Sequence, residues 1–88
     1  MATIQQTFRN GKDGPIYVSV EPWPECFELE SGEELTLIWD GPATGDVIKT
    51  DFINDRELVV WPNGEIDPIK YLIDGEDAQE RSWIFKHK

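Results

Sequence analysis

Cysteine, histidine and methionine are almost absent from this chain: Cys26, His87 and Met1 are the single representatives among 88 residues. One cysteine excludes an internal disulfide framework, the usual staple of small secreted domains. The chain must then hold together by packing, which fits a reducing, cytoplasmic setting. Basic residues are scarce as well, 8 Lys and Arg against 18 Asp and Glu, for a net charge of −10. Nucleic-acid binding depends on Lys and Arg that displace phosphate counterions, and anionic membranes repel an acidic surface. Neither is expected as a direct partner, which leaves a basic protein, a metal ion or no charged partner at all. No stretch approaches the roughly 20 apolar residues of a membrane span. Met1 to Asn10 has no apolar run of the signal-peptide type, and no glycine-rich phosphate loop occurs.

What is present is core material. Apolar residues make up 39% of the chain and ten residues are aromatic, among them Trp23, Trp39, Trp61 and Trp83. That suffices for one core, so residues 1–88 are expected to form one domain. Turn residues break the chain at Asn10–Pro15, Glu21–Pro24, Ser31-Gly32, Asp40–Gly45, Asn54–Arg56, Pro62–Gly64 and Asp74-Gly75. Between the breaks, side chains alternate with the period of two that sends neighbours to opposite faces of a strand. Ile16, Val18 and Val20 share a face, as do Leu35, Leu37 and Trp39, Ile48 and Phe52, Ile69, Tyr71 and Ile73, and Trp83 and Phe85. Leu58-Val59-Val60-Trp61 is apolar on both faces, so it is either covered twice or faces a partner, for instance across a dimer axis.

These runs predict an all-β fold, a small antiparallel sandwich or barrel of seven or eight short strands, with prolines on the edges. Near the end, a short helical turn over residues 76–81 competes with a widened hairpin pivoting on Asp74-Gly75, and the hairpin is preferred. Ser31-Gly32-Glu33-Glu34 has the form of a helix capping box, overridden by the alternation that follows.

Three stretches, Val20-Glu21-Pro22-Trp23, Phe27 to Leu35 and Leu58 to Trp61, resemble motifs of a group of small bacterial β proteins. In that group Glu-Pro-Trp precedes Glu-Leu-x-x-Gly-Glu and a Val-Val-Trp strand comes later. The resemblance covers roughly residues 16 to 75; a Pro often stands where this chain has Ser31. It implies a β fold and no activity. The Leu-x-x-Gly-Glu segment is also similar to one in cupredoxin-like sandwiches. A blue-copper site draws on paired His, a Cys and usually a Met, which this chain lacks.

Catalytic machinery is hard to assemble, and no enzyme, cofactor or metal is expected. Cys26 lies between Glu25 and Glu28, and acidic neighbours raise a thiol pKa. His87 is the second-last residue, a poor position for a fixed base. Paired carboxylates of glycosidase type need acids about 5–10 Å apart across a cleft, and no such pair is marked. Asp74-Gly75-Glu76-Asp77 lacks the spacing of a calcium loop and reads as a solvated turn.

The sharpest hint is charge order. No Lys or Arg occurs between Lys12 and Lys49, and Glu21, Glu25, Glu28, Glu30, Glu33 and Glu34 fall within residues 21–34. Glu28 and Glu30 share a strand face with Cys26, while Phe27 and Leu29 turn inward. An acidic ridge beside the proline-flanked Trp23 would steer a basic partner; alternatively it is a solvated face that guards an edge. The expected function is a non-enzymatic protein-interaction module, monomeric or homodimeric. Its candidate contacts are Trp23, Glu25, Glu28, Glu30, Glu33, Glu34 and Trp61. Two alternatives are an acidic mimic of DNA that blocks a nucleic-acid-binding protein, and a small-molecule or sugar binder that uses exposed Trp.

Overall fold

Alternation of apolar and polar side chains becomes two stacked sheets in a computed structural model of the chain, which describes residues 2–21, 25–42, 44–78 and 80. Eight strands form: β1 Ala2–Arg9, β2 Ile16–Val20, β3 Glu25–Leu29, β4 Glu34–Gly41, β5 Ile48–Asn54, β6 Glu57–Pro62, β7 Glu65–Ile73 and β8 Glu76–Asp77. One sheet runs β1-β4-β7-β8 and the other β3-β2-β6-β5. Neither closes on itself, so the architecture is a sandwich and the barrel alternative falls away. No helix occurs among the described residues, and none there is long and apolar enough to cross a membrane.

The core sits between the sheets; on β2, β3, β4 and β7 it follows the predicted inward positions, and β6, which reads as apolar on both faces, turns Leu58 and Val60 inward. Val18, Val20, Phe27, Leu29, Leu58 and Val60 come from one sheet, and Leu35, Leu37, Trp39, Tyr71 and Ile73 from the other. Phe27 and Tyr71 meet across the gap with ring centroids 4.9 Å apart. Burial, with the Glu25 carboxylate adding to it, holds the Tyr71 phenol pKa well above its ordinary value.

Three expectations are corrected. First, β2 and β6 run parallel, with Val18 opposite Leu58 and Val20 opposite Val60. The second sheet is therefore mixed, because period two fixes faces and says nothing about a neighbour's direction. Second, β1 is an eight-residue edge strand that the sequence reading passed over. Its Ile4 and Phe8 pack on the core from between polar residues. Third, the hairpin preferred over a helical turn is present, with Glu76–Asp77 as its second strand, but its turn is tight instead of widened. Asp74 and Gly75 have φ of 52° and 83°, as a two-residue type I′ turn requires. Trp83 and Phe85 lie outside the described residues. Pro62 closes β6, an inner strand, and so is not at a sheet edge.

The chain crosses between sheets four times, and each pair of crossings is fastened by an asparagine. At one end β1 passes to β2 and β3 passes to β4. Asn10 lies there, 1% exposed. Its Nδ2 donates to the carbonyls of Gly14 (2.8 Å) and Leu29 (2.9 Å), and its Oδ1 accepts from Lys12 N at 2.9 Å. Its backbone N–H donates to Glu33 O at 2.9 Å, and its carbonyl accepts from Gly32 N at 2.8 Å. At the other end β4 passes to β5 and β6 to β7. Asn63 N donates to Val47 O (2.9 Å) and Nδ2 to Asp46 O (2.8 Å), while Asn63 O accepts from Trp39 Nε1 (2.7 Å). Gly64 follows at φ 99°, where a Cβ would lie 2.7 Å from the Asp40 carbonyl oxygen, so only glycine fits.

Replacing Asn10 with Ala removes three side-chain hydrogen bonds and strands their partners. Asn10→Ala should lower the unfolding free energy by about 2–3 kcal/mol, while Ser31→Ala, which loses one exposed bond, should cost under about 1 kcal/mol. Urea denaturation followed by tryptophan fluorescence measures both.

Candidate binding surfaces

The acidic stretch does not assemble into one ridge. Glu25 has the parity of Phe27 and Leu29 and turns toward the core. Its Oε2 is buried without a hydrogen-bond partner, and the residue as a whole is half-buried. Glu28 stands on the outer face of β3 opposite Tyr17 and is half-buried. Glu33 folds back, its Oε1 accepting from Glu30 N at 2.7 Å, and closes the turn that holds Gly32 at φ 87°. Glu30 and Glu34 are exposed.

Bases missing from the sequence interval arrive from elsewhere in the fold. Arg9 on β1 pairs in register with Glu34 on β4. The carbonyl of Lys12 accepts from Ser31 Oγ at 2.6 Å, which seats the Lys12 loop against the acidic turn. A stretch that is base-free in sequence thus has Arg9 and Lys12 beside it in space. Trp23 lies outside the described residues.

Those two bases belong to a second feature, a cleft of about 390 Å³ between β1, the start of β2 and the β5–β6 hairpin. Phe8, Ile16, Phe52 and Leu58 line it with apolar surface, and Arg9, Lys12 and Arg56 line it with positive charge. Asp55 and Glu57 add two carboxylates. Three of the chain's 8 Lys and Arg therefore border one cleft of a strongly acidic protein. Arg56 is held there by its Nη1, which donates to Pro15 O at 3.2 Å, and by Asn54, whose Oδ1 accepts from Arg56 N at 2.8 Å. No sequence signal announces this cleft, because positions 9, 12 and 56 come together only through the β1–β2 crossing and the hairpin.

The third feature is the free edge of the mixed sheet. Among the described residues, β5 has β6 on one side and no strand on the other. Phe52 is 71% and Ile53 60% exposed, and Trp61 on the adjoining β6 is 36% exposed. Trp61 stands opposite Lys49 and, with Thr50 and Asp51, lines a shallow hollow. Leu58 to Trp61 has no open backbone edge to offer a second copy. β6 is an inner strand hydrogen-bonded to both β2 and β5, so its backbone is already paired on both sides.

Cys26 sits on the outer face opposite Ser19. Burial pushes its thiol pKa up, the hydrogen bond with Ser19 pulls it partly back, and the Glu57 and Glu28 carboxylates push it up again. A raised pKa keeps such a thiol protonated at neutral pH and lowers its reactivity. Among the described residues no group of His, Cys, Asp and Glu is arranged to hold a metal ion. Asp74 instead accepts from Glu34 N at 3.0 Å through its Oδ1. His87 lies outside the described residues. Comparisons with protein-family models, with curated proteins and with solved structures find no match to this chain.

The raised thiol pKa sets an expected reactivity. Iodoacetamide should alkylate Cys26 of the folded protein at neutral pH several times more slowly than a free cysteine. The double substitution Glu28→Gln and Glu57→Gln should speed the reaction roughly two- to fivefold. Mass spectrometry of timed samples gives both rates.

Proposed function

We propose that this protein is a non-enzymatic protein-binding module that makes contact through the β5 edge. One observation carries the reading: β5 is the outermost described strand of its sheet, and it leaves Phe52 71% and Ile53 60% exposed. Large apolar side chains left in water on a strand edge are costly, and a partner that covers them removes that cost. An open edge adds a row of unpaired backbone groups, which bind an extended strand by augmenting the sheet. The other edges are less suited. β8 has two residues, β1 presents Thr3, Gln5, Thr7 and Arg9 as its exposed side chains, and β3 carries Glu25 and Glu28. The single free thiol is compatible with a reducing, cytoplasmic location.

Photo-crosslinking tests this reading. A photoreactive residue at Thr50 should trap a protein, and the same residue at Thr7 on the β1 edge should not. Adducts only from Glu30 and Glu34 would return the contact to the acidic turn. Competition of that adduct by DNA would then favour the mimic of nucleic acid.

The cleft supports a second reading, as a site for an amphipathic organic anion whose apolar body meets Phe8 and Ile16 while its charge meets Arg9, Lys12 and Arg56. Removing opposite charge at such a site costs about 1–3 kcal/mol. An anionic long-chain fluorescent probe should bind, and Arg56→Glu should weaken it by at least about tenfold. Equal binding by the variant would remove this reading.

A further inference from the structure

We propose that the strand added to β5 is β5 of a second copy of the chain, paired antiparallel around a two-fold axis at Thr50. The proposal rests on the reading of β5 as the contact edge and supplies its partner.

The register of β5 against β6 sorts its side chains. Ile48, Thr50 and Phe52 stand opposite Pro62, Val60 and Leu58, which are buried, so they project to the inner side of the sheet. Lys49 and Asp51 stand opposite Trp61 and Val59 on the outer side. A two-fold axis perpendicular to the sheet keeps both copies' faces on the same sides, so each position opposes one of its own parity. With the axis at Thr50, Lys49 faces the partner's Asp51, Ile48 faces the partner's Phe52, and Thr50 faces the partner's Thr50. Opposite charges, apolar pairs and threonine pairs are the cross-strand combinations that stabilise a ladder. Symmetry gives the charged and apolar pairs twice.

Neighbouring registers fail. An axis at Asp51 sets Lys49 against Ile53 and Thr50 against Phe52. An axis at Lys49 sets Val47 against Asp51. The palindromic order of residues 48–52 therefore selects one alignment. Phe52 completes the case. It lies on the same side as buried Leu58 yet is largely exposed, at an edge that no other described strand flanks. The partner's Ile48 would cover it. The bulge after Phe52 ends the regular stretch where the proposed pairing ends. A lone Lys on an edge normally discourages pairing. Here each Lys49 has an Asp51 waiting across the axis.

Light scattering after gel filtration, combined with charge exchange, tests the proposal. The native chain should run at twice its 10.1 kDa mass. Lys49→Asp and Asp51→Lys should each weaken the dimer by at least about tenfold by opposing like charges. The double variant K49D/D51K should restore it, which a merely misfolded strand could not do. A dimer indifferent to all three variants overturns this register. A chain that stays monomeric up to about 0.1 mM, while Thr50 crosslinks to a different protein, overturns self-pairing and leaves β5 as the contact edge. Absence of any adduct from Thr50 overturns both.

Discussion

Everything in this fold depends on satisfying backbone groups where the chain leaves one sheet for the other, and the Asn10 carboxamide does most of that at one end. A crossing has no strand neighbour to accept its N–H and carbonyl groups, and burying them unpaired costs about 1–3 kcal/mol each. Asn10 places both side-chain donors, its side-chain acceptor and its own backbone groups against five partners from the β1–β2 and β3–β4 connections. Asn63 performs the corresponding task for the β4–β5 and β6–β7 connections, with the Trp39 indole as its third partner. With no disulfide available, these two side chains fix how the sheets are stacked.

Pinning both ends determines what remains open. The crossings bring Arg9 and Lys12 beside the acidic turn, so a run that looks uninterrupted in sequence has basic residues beside it in space. The same crossing and the β5–β6 hairpin gather Arg56 with them around an apolar cleft. β5, reached by a connection held at Asn63, ends up on the outside of its sheet with apolar side chains exposed. Binding potential therefore collects on the side of the molecule away from β3.

Much of the sandwich was legible in the sequence, because alternation reports which side of a strand a residue occupies. Val18, Phe27, Leu37, Trp39 and Tyr71 were placed inward by period alone and are buried. Asp74-Gly75 named its own turn. Alternation does not report whether anything covers that side. Ile48 and Phe52 read like a core face and belong to an edge where Phe52 stays in water. β1 was missed because Gln, Thr and Arg dilute its two apolar anchors, Ile4 and Phe8. The candidate surface was less legible than the core. Glu25 was counted as a surface acid because charge was read without parity, and Arg56 was invisible because clefts are made by contacts distant in sequence. Trp61 was singled out as a turn-flanking Trp and is exposed, but the strand beside it, not the acidic stretch, is its neighbour.

Amide hydrogen exchange resolved by residue addresses the central claim most directly, namely that the hydrogen bonds of buried Asn10 and of Asn63 hold the crossings between the sheets. The N–H groups of Asn10, Gly32 and Asn63 should exchange as slowly as those of the core strands, since each is released only by global unfolding. Rapid exchange at these three positions while β4 and β6 stay protected would show that the crossings open independently, and the account would be wrong.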